Sequence, residues 1–179
     1  MLSFTSLLFI SLILVLFIIL FSRKIASLKI FDSKVMERLS KKDWFKSPWK
    51  TGIFLFLVNA FLFVTTSLLL YLVSLLFIPF IHLLIMLAAM FISLFLWILI
   101  SRYWEGTRYD RYKIGLVGSS FYGFLSLIIL YRYVNLKPAF PGDDVFMAAL
   151  GLFFALIVTT VAFIACFSVT SFTGKNIKA

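Results

Sequence analysis

Residues 51–101 read TGIFLFLVNAFLFVTTSLLLYLVSLLFIPFIHLLIMLAAMFISLFLWILIS, a run without Lys, Arg, Asp or Glu. At about 1.5 Å per residue, one helix of this length would reach roughly 75 Å, whereas the hydrocarbon core of a bilayer is about 30 Å thick. The run must therefore fold back on itself, and Pro79 near its middle marks the turn. The sequence predicts a membrane hairpin of two helices, residues 51–78 and 80–101.

The composition of the whole chain is that of an integral membrane protein. Of its 179 residues 63% are hydrophobic, and the mean hydropathy of +1.11 is too high for one soluble core. The net charge of +10 comes from basic residues in short stretches between apolar runs. This pattern indicates membrane topology, and we expect no nucleic-acid partner. Cys166 is the only cysteine, which excludes an intrachain disulfide and a cysteine metal cluster.

Three further apolar runs are long enough to cross a bilayer, namely residues 2–21, 114–131 and 145–172. The first has its positive charges after it, at Arg23 and Lys24, which is the reverse of a cleaved secretory signal. We therefore predict an uncleaved anchor. The fold class is all-α, a polytopic helical bundle with five transmembrane helices in a single membrane domain, residues 1–179.

The basic residues also predict the orientation of this bundle. Fifteen of the seventeen lie in residues 23–50, in residues 102–113 or in the C-terminal tail, and only Arg132 and Lys137 fall on the other side. Because loops rich in Lys and Arg stay in the cytoplasm, the N-terminus is expected outside and the C-terminus inside. This distribution of charge is expected for a protein of the plasma or inner membrane, and an organelle membrane is the alternative.

Residues 22–50 form a basic cytoplasmic segment with apolar residues at helical steps between Ile25 and Leu39. This spacing predicts a short amphipathic helix on the bilayer surface, anchored by Trp44, Phe45 and Trp49. A docking helix for a partner protein or for anionic lipid is the alternative.

The link of residues 102–113, RYWEGTRYDRYK, alternates basic and aromatic side chains. Guanidinium groups match phosphate oxygens, and aromatic rings suit the headgroup layer. The pattern predicts contact with a lipid headgroup or a partner protein through Arg102, Trp104, Arg108, Arg111 and Lys113. Ion pairs with nearby carboxylates would instead order the link, and an active site would need a substrate pocket that no motif defines.

Two helices carry small residues at helical spacing, a pattern that lets helix backbones approach closely in lipid. In the fourth span these residues are Gly115, Ser119 and Gly123. In the fifth they form a seam of Ala148, Gly151, Ala155, Thr159, Ala162, Cys166 and Thr170. We predict that these two faces pack helices together, in the first instance against each other, and a pore-lining stripe is the alternative.

Two polar residues interrupt the hairpin. Asn59 is costly to expose to lipid, so it is expected to bond to another helix or to a backbone carbonyl. His82 lies three residues after Pro79 without a carboxylate, cysteine or second histidine near it in sequence. We therefore expect a solvated interfacial histidine rather than a metal ligand or proton relay.

No charge lies inside a span, and no metal, nucleophile or phosphate-loop motif is found in the sequence. An enzyme is therefore not expected, nor a cofactor. The leading hypothesis is a non-catalytic subunit that assembles a larger membrane complex, with anionic lipids and other membrane proteins, or copies of itself, as partners. The alternatives are a small oligomeric channel or transporter subunit, and a factor for membrane-protein insertion or lipid handling.

Overall fold

A computed structural model describes residues 33–76, 80–138 and 144–173 continuously, together with residues 13, 15–17, 21, 24 and 25. In the continuous ranges the chain forms helices and no strand. The helices are α1 (Lys34–Ser40), α2 (Asp43–Lys46), α3 (Pro48–Leu75), α4 (Ile81–Tyr103), α5 (Arg108–Val134) and α6 (Phe146–Phe172).

Helices α3 to α6 are each long and apolar enough to cross a membrane. The prediction of an all-helical, multipass integral membrane protein is thereby confirmed at this level. Most of the predicted first span, residues 2–21, lies outside the described residues, as does the C-terminal tail 174–179. The count of five spans therefore stays a prediction.

The hairpin consists of α3 and α4, within three residues of the predicted bounds. Pro79 lies outside the described residues. Phe80 directly precedes α4 with a φ of 65°, a left-handed conformation that is uncommon for a bulky side chain. The chain therefore turns sharply as it enters α4.

Helix α5 begins earlier than the apolar run that predicted it. It has 27 residues, or about 40 Å of helix, whereas the sequence predicted the shortest span, residues 114–131. The Thr107 hydroxyl accepts the backbone N–H of Asp110 at 3.2 Å and donates to its carboxylate at 2.7 Å. This N-cap starts the helix within the polar stretch, so the link between α4 and α5 shortens to residues 104–107.

We call the end of the bundle near residues 104–107 the link end, and the end near residues 76–80 the turn end. The buried residues of the four long helices lie toward the link end and reach no further than the middle of each helix: Thr51 to Asn59, Leu94 to Ser101, Arg111 to Tyr122, and Thr159 to Ser171. Beyond the middle of each helix, toward the turn end, the described residues are exposed or half-buried. The helices thus pack tightly at the link end and leave apolar surface open at the turn end.

Helices α1 and α2 form a cap, residues 33–47, that is fixed to the link end. The backbone N–H of Ser33 donates to Tyr103 Oη at 2.8 Å, and the Thr51 hydroxyl donates to the carbonyl of Phe45 at 2.6 Å. These two bonds tie the cap to the last turn of α4 and the first turn of α3.

The cap differs from the predicted amphipathic helix at Phe45, one of the three predicted anchors. Phe45 is 1% exposed, because its bond to Thr51 folds α2 back under α3, so it does not anchor the chain in the bilayer. In α1, Met36 faces the protein while Val35 is 73% exposed. Residues 26–32 of the predicted helix lie outside the described residues, and its position on a bilayer stays a prediction.

Candidate functional surfaces

A hub of hydrogen bonds around Asn59 joins the four long helices. The Asn59 amide nitrogen donates to the carbonyl of Gly118 in α5 at 3.0 Å and approaches Cys166 Sγ in α6 at 3.6 Å. The Asn59 oxygen accepts the indole N–H of Trp97 in α4 at 2.8 Å. The expected bond across helices is thereby confirmed, and one fully buried side chain contacts the other three helices.

Arg111 occupies a second buried position, at the link end. Its guanidinium donates to the carbonyls of Ser101 at 3.4 Å and Trp104 at 3.1 Å and lies 5.7 Å from the Trp104 ring. The two carbonyls belong to the C-terminal turn of α4, where a cation complements the helix dipole. Arg111 therefore fastens the start of α5 to the end of α4.

This placement corrects two of the five predicted headgroup contacts. Arg111 is 5% exposed and Trp104 is 3% exposed, because the short link folds both side chains into the protein. Lys113 pairs with Asp110 at 3.1 Å and lies over the Tyr109 ring. Arg102 is half-buried and Arg108 is exposed. The link therefore does not present all five side chains to a headgroup.

Some buried polar atoms at the link end lack the hydrogen-bond partners that the polar atoms of the hub have. The indole nitrogen of Trp104 and the hydroxyls of Ser171 and Thr173 are buried without a hydrogen-bond partner in the described part of the chain. Such groups cost about 1–3 kcal/mol each when left unpaired. The link end is thus tightly packed without being fully hydrogen-bonded.

The predicted small face of α5 lies against α6. A Cβ at Gly115 would collide with the Ser171 hydroxyl, and one at Gly123 would lie 3.4 Å from the Phe163 ring. Ser119 is fully buried. The face therefore lies where two helix backbones come close.

A second close approach, between α3 and α5, was not predicted. A Cβ at Gly52 would lie 2.8 Å from Val117 Cβ, and one at Gly118 would overlap Leu55. Glycine is a poor helix former, so an isolated glycine within an apolar helix is a signal for close packing that the four-residue repeat did not reveal.

The predicted seam of α6 is covered at one end only. Thr159 is buried and accepts a hydrogen bond from Ser126 at 2.9 Å, while Ala155 and Ala162 are half-buried. Toward the turn end, Ala148 and Gly151 are exposed, and nothing lies within 4 Å of a Cβ at Gly151. The seam therefore continues toward the turn end, past the part that the other described helices cover.

The cap presents a strongly basic outer surface. Its two acidic groups already have partners, since Glu37 pairs with Lys41 at 3.0 Å and Asp43 with Lys46 at 2.9 Å. The hydrogen bond and positive charge of each lysine lower the pKa of its carboxylate. Both carboxylates therefore stay ionised well below neutral pH.

The described residues include no group of three His, Cys, Asp or Glu side chains placed to hold a metal ion. His82 is exposed in the first turn of α4, and Cys166 is fully buried at the hub. Comparison of the chain with family models, curated proteins and solved structures gave no match.

Proposed function

We propose that this protein is a non-catalytic subunit of a larger membrane complex, and that it binds its partner chain through the turn end of α6. The observation that supports this proposal is that the small-residue seam continues to Ala148 and Gly151, where it is exposed. The partner is another membrane protein or a second copy of this chain.

The chemistry of the bilayer makes such a surface suited to another helix. Lipid tails cover exposed Leu, Ile and Phe side chains without cost, so large apolar residues at the turn end need no partner. A row of small residues instead forms a shallow groove, and a second backbone fills it with more van der Waals contact than flexible acyl chains do. Near Thr159 this chain uses the same seam for its own helices, which favours the same use at Gly151.

The polar side chains support assembly more than conduction. A channel needs polar groups that face an open path. In the middle of the bundle, Asn59 instead bonds to Gly118 and Trp97, and Ser126 bonds to Thr159. These groups serve to hold helices together.

The topology that we propose has five spans, with the N-terminus outside and the C-terminus in the cytoplasm of a plasma or inner membrane. An apolar groove of about 480 Å³ along α4 is lined by Phe91, Phe95 and Ile98, and also by Ile25. Val15 is buried as well. The place of Ile25 in the α4 groove and the burial of Val15 favour a first span packed against the bundle, and the distribution of basic residues supports the orientation.

A matched pair of substitutions tests the assembly surface. Ala148→Leu adds the same side-chain volume as Ala88→Leu, and both alanines are exposed in the half nearest the turn end, one on the seam and one on α4. Tagged protein would be extracted in mild detergent and its complex measured by native electrophoresis and mass spectrometry.

We expect the wild type and Ala88→Leu to run as a complex, and Ala148→Leu to release the partner. A wild type that runs as one chain would refute the proposed function. A complex that tolerates Ala148→Leu would refute the seam as its binding surface.

A further inference from the structure

The outer face of the cap carries cations that its own carboxylates do not neutralise. Six basic residues lie in residues 33–50 against two acidic ones, and both acidic groups are paired. Among the described residues, no ion pair involves the remaining four, all of which are exposed. They are Lys34, Arg38, Lys42 and Lys50.

Exposed apolar side chains lie among these cations. Val35 follows Lys34 and is 73% exposed, and Trp49 precedes Lys50 and is 59% exposed. A tryptophan is favoured at the boundary between headgroups and acyl chains, where its ring is half in apolar surroundings and its N–H reaches water. Exposed basic and apolar groups that alternate within one short segment are typical of segments that bind a charged bilayer surface.

The fold holds this face at the height of the bilayer surface. The cap leads directly into α3 at Pro48 and is tied to the last residue of α4 through Tyr103. Trp44 packs edge-on against Phe54 in the second turn of α3, with ring centroids 5.4 Å apart. Since both helices are candidate spans, the cap lies where the spans leave the hydrocarbon.

We propose that the headgroups of anionic phospholipids bind to Lys34, Arg38 and Lys42 of the cap and to Lys50 in the first turn of α3, with Trp49 inserted at the headgroup boundary. The occupant is the bilayer itself, because the face carries an excess of four positive charges and lies beside the ends of two spans. This proposal deepens the proposed function, since it names the partner of the basic surface. It rests on that function only for the placement in a membrane and does not require a protein complex.

The test uses the full-length chain in vesicles that contain equal amounts of phosphatidylglycerol and phosphatidylcholine. After extraction, native mass spectrometry reports which lipids stay bound to one chain. The variant Arg38→Gln with Lys42→Gln removes two charges from the cap. The variant Arg132→Gln with Lys137→Gln removes two exposed charges from the other end of the bundle and serves as the matched control.

The wild type and the control should retain phosphatidylglycerol in preference to phosphatidylcholine. Each basic residue beside an anionic surface contributes about fivefold in binding, so the cap variant should bind phosphatidylglycerol up to about 25-fold more weakly. High salt should reduce the preference of the wild type, because screening weakens exposed charges. Inorganic phosphate at millimolar concentration should not displace the lipid.

The proposal would be overturned by no preference in the wild type, by an unchanged preference in the cap variant, or by an equal loss in the control. Displacement by inorganic phosphate would also overturn it, since the site would then recognise a free anion. Circular dichroism and size-exclusion chromatography establish that each variant is folded. The readout is bound lipid, so a failure of the proposed protein complex would leave this result unaffected.

Discussion

At the scale of single residues, Asn59 shows how one polar side chain orders a bundle in lipid. Its amide contacts α4, α5 and α6 from α3, and Trp97 supplies the matching N–H. Sequence could predict that Asn59 needs a partner, because an amide facing lipid is costly. It could not predict which helices would meet there, since that depends on the rotation of each helix about its axis.

We expect Asn59→Leu to destabilise the protein by about 1 to 2 kcal/mol, because the Trp97 N–H is then buried without an acceptor. Unfolding would be followed by titration with a denaturing detergent, with tryptophan fluorescence as the signal. Ser126→Ala is the control, since Thr159 keeps acceptors in its own helix at Ala155 and Leu156. Equal losses for the two variants would contradict the hub.

Arg111 is a residue whose burial was not predicted from the sequence. It was grouped with Arg102 and Arg108 because all three lie in one polar stretch. A signal was available in Thr107 and Asp110, whose spacing is that of a helix cap. A helix that starts there places Arg111 on the same face as Gly115 and Gly118, toward the interior.

We predict that Arg111→Gln lowers the free energy of unfolding by about 1.5 to 3 kcal/mol, as for hydrogen bonds made by charged groups. Arg108→Gln removes the same charge three residues earlier from an exposed position and should change stability by less than about 0.5 kcal/mol. The same detergent titration measures both. A larger effect at Arg108 would show that the bonds of Arg111 to α4 do not stabilise the fold.

At the scale of helices, glycines decide how closely pairs of elements pack. Gly52 lies opposite Val117 Cβ, an atom that no side-chain rotation can move away. Adding a methyl group there must push α3 and α5 apart. Gly151 has the opposite surroundings, since a methyl group would meet no atom of this chain within 4 Å.

The same substitution should therefore give opposite results at these two positions. We expect Gly52→Ala to cost about 1 to 3 kcal/mol through overpacking. In the isolated chain Gly151→Ala should be neutral or slightly stabilising, because alanine is the better helix former. Thermal stability in detergent, measured on the monomer fraction, distinguishes them. Equal destabilisation would show that the turn end of α6 is packed in solution.

Helix boundaries show where hydropathy stops being informative. Apolar runs placed the hairpin well, because a bilayer imposes both the length and the composition of its spans. The apolar runs did not predict the first six residues of α5, Arg108 to Lys113. A helix extends past the hydrocarbon wherever an N-cap residue and good helix formers allow it. The polar link was therefore predicted about three times too long.

At the scale of the whole molecule, burial is uneven along the axis of the bundle. The half nearest the link end contains the hub, the Arg111 contacts and the cap, whereas described residues of the other half contribute no fully buried side chain. Sequence predicted which segments cross the membrane but not this asymmetry, because lipid-facing and helix-facing positions are equally apolar. The open half is where an additional helix would add the most contact.

The number of spans can be tested with single cysteines and a maleimide that does not cross membranes. Native Cys166 is fully buried and should stay unlabelled in the folded protein, so it needs no replacement. We expect Asn135→Cys and Ser3→Cys to be labelled in intact cells, and Lys42→Cys only after permeabilisation. Labelling of Ser3→Cys together with Lys42→Cys would leave four spans, because residues 2–21 would then not cross. Labelling of Lys42→Cys alone in intact cells would reverse the orientation and place the basic cap outside, against the distribution of charge.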